Sequence, residues 1–312
     1  MPTSPKPTTV AVIAVTWNSS RVLPGFLASL EEGLAGVDDW RLVVADNDSA
    51  DETVALLREQ APDATLVQTG RNAGYSAAIN AALDAAGPDV RAVLICNPDI
   101  RLHPGCAAAL VDTLGEQLPD GDRVGIAVPL LYEADGTRMP SLRREPSVVR
   151  ALGEAVIGNR RAGRFPALGE LITDPAAYTR RTRADWASGA LMLLSRECLD
   201  ACGRWDESYF LYSEETEYCL RARDLGFATR LQPTASAEHL GGDSQVSPRL
   251  WTLLVLNRVR LHRRRHGGLA STAFRAAVLL REASRAALGR APSRAAAAAL
   301  LSNAALRATP GP

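Results

Sequence analysis

A chain of 312 residues, 46% of them apolar, is long enough to bury one large core plus an appendage, which excludes a disordered or peptide-sized product. Its formal charge is zero, but residues 1–247 hold 23 Lys and Arg against 34 Asp and Glu, whereas residues 248–312 hold 12 Arg against the single acid Glu282. A body of −11 and a tail of +11 suggest that the tail meets something anionic, such as a lipid headgroup surface or nucleic acid. The five cysteines form no C-x-x-C pair, which argues against zinc and a disulfide framework and for a reducing compartment. Residues 1–9 are polar and Pro-rich, unlike a signal peptide, and no apolar run reaches the eighteen or so residues of a membrane span. The expected location is therefore the cytoplasm, or the inner face of the cell membrane as a peripheral protein.

From the N-terminus, β-rich runs are expected at residues 9–16, 41–45, 64–68, 92–96 and 124–128, alternating with helical patterns at 22–34, 52–60, 75–86 and 105–118. This rhythm predicts an α/β fold: a Rossmann-like, mostly parallel central sheet with helices on both faces, which is why several strands are apolar almost throughout. Residues 130–185 lose the rhythm, carry Pro140, Pro146, Pro166 and Pro175, and are expected to form a long excursion with one short helix. Order returns with a strand at 189–195, a short helix after Arg196, an acidic helix near 213–225 with Ser213 as its N-cap, and short strands at 228–231 and 235–238. The tail divides into helical pieces at 248–266, 270–288 and 293–306, so a catalytic domain over 1–247 is expected to carry an Arg-rich helical extension over 248–312. Within the domain, 8–130 forms one half and 185–247 the other. The first tail piece has apolar residues at helical spacing beside Arg258, Arg260 and Arg263 to Arg265, the pattern either of a basic amphipathic surface helix or, equally, of a helix packed on the catalytic domain with solvated arginines. The Ala-rich run 295–299 suits packing on neighbouring helices or in a homodimer.

Ligands of open α/β sheets bind beyond the carboxyl ends of the strands. Asp46 closes the second strand, and Asp99 follows the fourth by way of Asn97 and Pro98. Each alone reads as an ordinary turn residue; together on one edge they mark a site. One or two carboxylates there would hold Mg²⁺ or Mn²⁺ against a diphosphate. No G-x-G-x-x-G follows the first strand and no G-x-x-x-x-G-K-[ST] occurs, which weakens dinucleotide and P-loop readings.

Thr16-Trp17-Asn18, Asp46-Asn47-Asp48-Ser49-Ala50-Asp51, Asn72-Ala73-Gly74-Tyr75 with Asn80, and Asn97-Pro98-Asp99 resemble, in order, the motifs of family 2 of inverting glycosyltransferases. So do Trp186-Ala187-Ser188-Gly189-Ala190, Gly203-Arg204-Trp205-Asp206-Glu207, Tyr212-Ser213-Glu214-Glu215 and His239-Leu240-Gly241-Gly242-Asp243-Ser244. Asn97-Pro98-Asp99 stands in place of the family's D-x-D and is similar to the bacterial rhamnosyltransferase branch. The resemblance spans roughly residues 8–265 and implies the GT-A fold, with a nucleotide-sugar half and an acceptor half. It implies that Thr16, Asn18, Asp46 and Asp48 bind the nucleotide, that Arg71, Asn72 and Asn97 meet the donor sugar and diphosphate, and that Asp99 and His239 hold the divalent cation. Trp186 and Glu214 would face the acceptor, and Glu215 would be the catalytic base, although the family has aspartate there. Packing is the expected role of Trp205.

The implied partners are a nucleoside-diphosphate sugar, above all dTDP-L-rhamnose, and a lipid-linked or polysaccharide acceptor, with the tail touching the membrane surface and no nucleic acid bound. UDP-sugars and soluble acceptors remain alternatives. A nucleotidyltransferase would carry a Gly-rich basic loop where Thr16-Trp17-Asn18 stands. A non-catalytic nucleotide-sugar sensor would keep the donor site without a working base at Glu215.

Overall fold

A computed structural model describes residues 9–241 and 247–308, so Gly242, Asp243 and Ser244 of the last motif lie outside the described residues. The chain opens as β1 (Thr9–Thr16), α1 (Leu23–Gly33), β2 (Asp39–Asp46), α2 (Thr53–Gln60), β3 (Thr65–Gln68), α3 (Tyr75–Ala86), β4 (Ala92–Cys96), β5 (Ile100–Leu102), α4 (Cys106–Val111) and β6 (Arg123–Tyr132). It continues through β7 (Leu142–Arg143), α5 (Val148–Ile157), α6 (Asn159–Ala162), a 3₁₀ turn at Pro175–Tyr178, β8 (Arg183–Ala184), β9 (Trp186–Ala187), β10 (Leu191–Ser195) and α7 (Arg196–Cys202). After α8 (Glu214–Asp224) and β11 (Phe227–His239) come α9 (Pro248–Arg265), α10 (Gly268–Ala287), α11 (Ala291–Leu301) and α12 (Asn303–Arg307).

The nine-stranded sheet has the order β3-β2-β1-β4-β10-β6-β11-β5, with β8 beside β11. Strands β1 to β4, β6 and β11 run one way, because β10 is antiparallel to both β4 and β6 while β6 and β11 pair in parallel. The expected mostly parallel sheet is thus present. Strand β1 shows why it forms: Ala11, Ile13 and Val15 pack into the cluster containing Ala78, Ile79 and Ala82 of α3, while Val10, Val12 and Ala14 face Leu23, Phe26 and Leu30 of α1. A strand covered on both faces must be apolar at both parities.

Three local expectations need correction. The helix expected over 105–118 stops at Val111, and the chain turns through Gly115, whose φ of +75° suits glycine. The two short strands expected at 228–231 and 235–238 are one strand, β11, interrupted by a bulge between Gln232 and Ser236 that contains Pro233, a residue unable to donate to the ladder. Ser213 does stand at the N-cap position of α8, but at φ +72°, and its side chain caps nothing.

The excursion is more ordered than expected. Ala151 of α5 joins Val255, Val259, Phe274, Val278 and Leu300 of the tail helices in one apolar cluster. Beside it, Arg258 Nη2 donates to Glu154 Oε2 (2.8 Å) and Glu170 Oε2 (2.5 Å), three side chains with little exposure. Removing one partner of such a buried set costs about 3–5 kcal/mol, since the others keep their desolvation cost. Three further α9 arginines are engaged within the molecule, while Arg263 stays exposed: Arg264 pairs with Asp206, Arg265 with Glu145 and Asp224, and Arg260 donates to the carbonyls of Ala305, Leu306 and Ala308. The expectation of solvated arginines on α9 is therefore corrected for Arg258, Arg260 and Arg265, which are tied into the molecule. Arg258, Arg264 and Arg265, three of the twelve tail arginines, pair with acids of the body, so part of the charge split is an internal match that fastens one to the other.

Gly74, the residue before α3, has φ +91°, and a Cβ there would lie 2.6 Å from the Phe210 carbonyl oxygen, the acceptor of the Tyr75 amide at 2.8 Å. Gly74→Ala should lower stability by about 2 kcal/mol or more, combining a left-handed backbone with a backbone clash. Urea denaturation checks this, with an unchanged midpoint as the contrary result.

Candidate active site

One rim of the sheet collects the loops singled out by sequence. Thr16 is in register with Asp46, and Ala14 with Cys96, so the carboxyl ends of β1, β2 and β4 are level. Leu191 at the start of β10 also pairs with Cys96, which sets the Trp186–Ala190 segment on the same rim, and the parallel β6–β11 pair ends there at Tyr132 and His239. Asp46 and Asp99 thus share an edge, as expected.

Asp46 is almost fully buried, and its carboxylate accepts from Thr16 Oγ1 (2.8 Å), the Ser49 amide (2.9 Å) and Ser49 Oγ (2.6 Å). Its loop is fastened to the one after β1, with the Asn18 amide donating to Ser49 Oγ and the Ala50 amide to Asn18 Oδ1, both at 2.8 Å. Asn18 and Asp48 are exposed at φ +50° and +63°. With Tyr212 and Ser213 they are the non-glycine residues of positive φ among the described residues, and all four lie in the loops of this rim. Strain of this kind, about 1–3 kcal/mol each, persists where surrounding structure over-determines it and clusters at functional sites. Trp17 stands 56% exposed beside Asn18, a large apolar surface left for a partner.

Asp99 lies under the end of β11. Its carbonyl accepts from the Leu240 amide (3.0 Å), and its Oδ2 accepts from the Gly241 amide (3.2 Å) and lies 3.3 Å from His239 Nε2. Burial alone would raise its carboxyl, but the His239 and Gly241 contacts hold it below the usual carboxylate range. Asp99 Oδ1 and His239 Nδ1 are buried without a hydrogen-bond partner. No group of three or more His, Cys, Asp or Glu forms a metal site among the described residues, so this pair could supply at most two ligands. Such a donor set, one hard oxygen and one imidazole, fits a divalent ion whose remaining positions are filled by phosphate oxygens and water. Asn97 is engaged otherwise: its amide donates to the Ala190 carbonyl (2.9 Å) and its Oδ1 accepts from the Tyr75 hydroxyl (2.8 Å). Asn72 Oδ1 accepts from the Gly74 amide, while the Arg71 side chain is exposed.

Glu214 and Glu215 open α8. Glu214 is buried with Oε2 unpartnered, and burial, followed by repulsion from Glu215, pushes its carboxyl well above the usual range. Glu215 is half-buried; burial pushes it up to about 7, against the opposing pull of backbone amides of α8 and of Arg143. A helix N-terminus favours an ionised carboxylate, but here desolvation outweighs it. Gly189 makes room for it: a Cβ on that glycine would sit 3.0 Å from Glu215 Cβ.

Two residues of the site escaped sequence reading. Arg143, in the aperiodic excursion, lies with its guanidinium carbon 5.6 Å from the centre of the Trp186 ring, and pairing of β7 with β9 brings it there. Its charge also acts on Glu215, so it serves both that carboxylate and the indole expected at the acceptor. Tyr75 links Asn97 to the neighbourhood of Glu214 and Asp99, and burial with those charges raises its phenol well above normal. The N-x-G-Tyr motif could have signalled it; nothing marked Arg143. Trp205, stacked on Tyr218 at 4.4 Å, packs as expected.

The rim thus carries a paired Asp and His and, apart from them, a half-buried carboxylate of raised affinity for protons. The model of glycosyl transferase family 2 matches residues 11–146. The chain is 31% identical over 239 residues to an N-acetylglucosaminyl-diphospho-decaprenol L-rhamnosyltransferase of Mycobacterium tuberculosis, covering 73% of this chain and 75% of that one. Among solved structures, it resembles the mannosyltransferase PcManGT of Pyrobaculum calidifontis in complex with GDP-Man and Mn²⁺ (TM-score 0.54, 19% identity, 96% of this chain and 75% of that one). It also resembles GalNAc-T7 with UDP, GalNAc and Mn²⁺ (TM-score 0.53, 16% identity), where 83% of this chain spans about half, 48%, of the other. The chain belongs to glycosyltransferase family 2, on its rhamnosyltransferase branch, and has the GT-A fold.

Proposed function

We propose that this glycosyltransferase moves an L-rhamnosyl group from dTDP-rhamnose, with inversion, to a hydroxyl of a lipid-linked sugar diphosphate of the cell envelope. The relative from Mycobacterium tuberculosis, whose name describes rhamnosyl transfer to such a lipid, supports donor and acceptor class. The observation that carries the chemistry is Glu215: a half-buried carboxylate with a proton affinity near neutrality, against Gly189 and within the field of Arg143. A base of that affinity is matched to taking a proton from an attacking hydroxyl near pH 7. Trp186, its indole donating to the Arg144 carbonyl at 3.0 Å, offers an apolar platform for a sugar ring beside it. Thr16, Asn18, Asp46 and Asp48 frame the nucleotide, and Arg71, Asn72 and Asn97 stand towards the donor sugar and diphosphate. Asp99 and His239 would hold Mg²⁺ or Mn²⁺, and that ion would take up negative charge on the departing diphosphate. Glu214, buried beside the base, shapes the acceptor side.

The test is a transfer assay with a short-chain lipid-diphosphate sugar acceptor and parallel dTDP-rhamnose, UDP-galactose, UDP-galactofuranose and GDP-mannose donors. Rhamnose should be transferred at least tenfold faster than the others. Preference for a UDP or GDP sugar would overturn the donor assignment, and donor binding without turnover on any acceptor would overturn the acceptor assignment.

A further inference from the structure

We infer that α5 and the turn after α6 form a membrane-docking face for an anionic bilayer, which brings Glu215 to an acceptor held in the lipid; the inference rests on the lipid-linked acceptor proposed above. Five of the thirteen exposed large apolar residues fall within seventeen positions: Val149, Leu152, Val156, Ile157 and Phe165, the most open being Val156 at 75%. Val149, Leu152 and Val156 recur at helical spacing on α5, opposite Ala151 and Glu154, which are buried against the tail helices. An amphipathic helix whose inner face is already packed has no internal reason to keep a second apolar face.

This face is not a by-product of looseness. A Cβ added at Gly153 would lie 2.3 Å from the Leu168 carbonyl oxygen, and one at Gly163 2.7 Å from that of Leu171, so helix and following loop are in close backbone contact. Along residues 146–169 the exposed charge has one sign, and the nearby Asp174 accepts from the Ala176 amide. Arg160, Arg161 and Arg164 are exposed and form none of the ion pairs found among the described residues, and the one acid between positions 146 and 169, Glu154, points inward to Arg258. An apolar stripe with an unpaired arginine edge is the composition of a helix lying in the interface of an anionic membrane. No helix among the described residues is long and apolar enough to cross one. The face also has a place in the reaction. Helix α5 begins five residues after Arg143, which sits over Trp186 and beside Glu215, so docking here sets the acceptor side of the site close to the headgroups.

Flotation of the full chain with phosphatidylcholine vesicles, with and without phosphatidylglycerol, tests this. The unaltered protein should float with the anionic vesicles. Val156→Asp with Phe165→Asp should reduce binding by about tenfold or more, since each withdraws an inserted apolar side chain. Arg160→Glu with Arg164→Glu should cut the preference for anionic vesicles by about fivefold per charge removed. Leu301→Asp, 69% exposed on α11, should change nothing. Each variant is also assayed on a water-soluble short-chain acceptor: retained turnover shows that it is folded, and a variant without turnover is replaced by Leu152→Ser. The inference is overturned if the unaltered protein stays unbound, if the α5 variants float normally, or if Leu301→Asp alone abolishes binding. It is equally overturned if the unaltered protein is a dimer by light scattering that Val156→Asp dissociates, for the face would then seat a second copy. An unaltered protein that floats yet transfers no sugar would sink the proposed activity and leave the docking face standing.

Discussion

Replacing Glu215 by Gln should abolish transfer and, above neutral pH, make the protein more stable. The exchange keeps the length of the side chain and removes the group able to accept a proton, so kcat/KM should fall by 10² to 10⁴, the usual worth of a positioned base. The stability effect follows from the raised proton affinity. A free glutamate titrates near 4.5, and Glu215 near 7. Below pH 4.5 the carboxyl is protonated in both folded and unfolded chains and the substitution is neutral. Between 4.5 and 7 the unfolded chain ionises first, so the native protein loses stability as pH rises. Above 7 the folded state carries the full cost of an ionised, half-buried carboxylate, and Gln relieves it by about 2–3 kcal/mol. Thermal melts from pH 4 to 9 should therefore show the two proteins converging in acid and separating in base. The unaltered enzyme's kcat/KM should climb about tenfold per pH unit up to 7 and then level. Residual turnover near that of the unaltered enzyme, or equal melting curves at pH 8, would remove Glu215 from the role of base.

Substituting Asp99 should separate cation binding from nucleotide binding. In the unaltered protein dTDP with Mn²⁺ should raise stability by RT ln(1 + [L]/Kd), about 2.7 kcal/mol at a hundredfold excess over Kd. With EDTA in place of Mn²⁺ most of that gain should vanish, because the role proposed for Asp46 and its neighbours is confined to the nucleoside end. Asp99→Asn should behave like the EDTA sample whether or not Mn²⁺ is present. It removes a full negative charge from beside His239, yet preserves an acceptor for the Gly241 amide. Turnover should drop by 10² or more. The weak donor set makes this ligand-dependent: two protein ligands cannot hold the ion tightly without the diphosphate. If Asp99→Asn still shows a full Mn²⁺-dependent shift with dTDP, the ion is bound elsewhere.

Which parts were legible in sequence has a physical pattern. Strands β1 and β4 and helix α3 fall where expected because both-face burial and helical spacing are local signals, and the first four parallel strands alone set Asp46 and Asp99 on one rim. The motifs after each strand end were visible for the same reason. The excursion was not, because α5 has no core of its own: it becomes a buried helix only against Phe274, Val278 and Leu300, more than a hundred positions away. The arginines of α9 looked solvated for want of their partners, Glu154, Glu170, Glu145 and Asp206.

By itself, then, the order of apolar runs, turn residues and acidic strand ends determined the sheet, its loaded rim and the family of enzyme, since each depends on neighbours a few residues apart. Only the tertiary structure decided the proton affinity of Glu215, the presence of Arg143 beside it, and the apolar face of α5 left over when its other side is packed. Desolvation and long-range charge are properties of what surrounds a group in space, and no spacing along the chain encodes them.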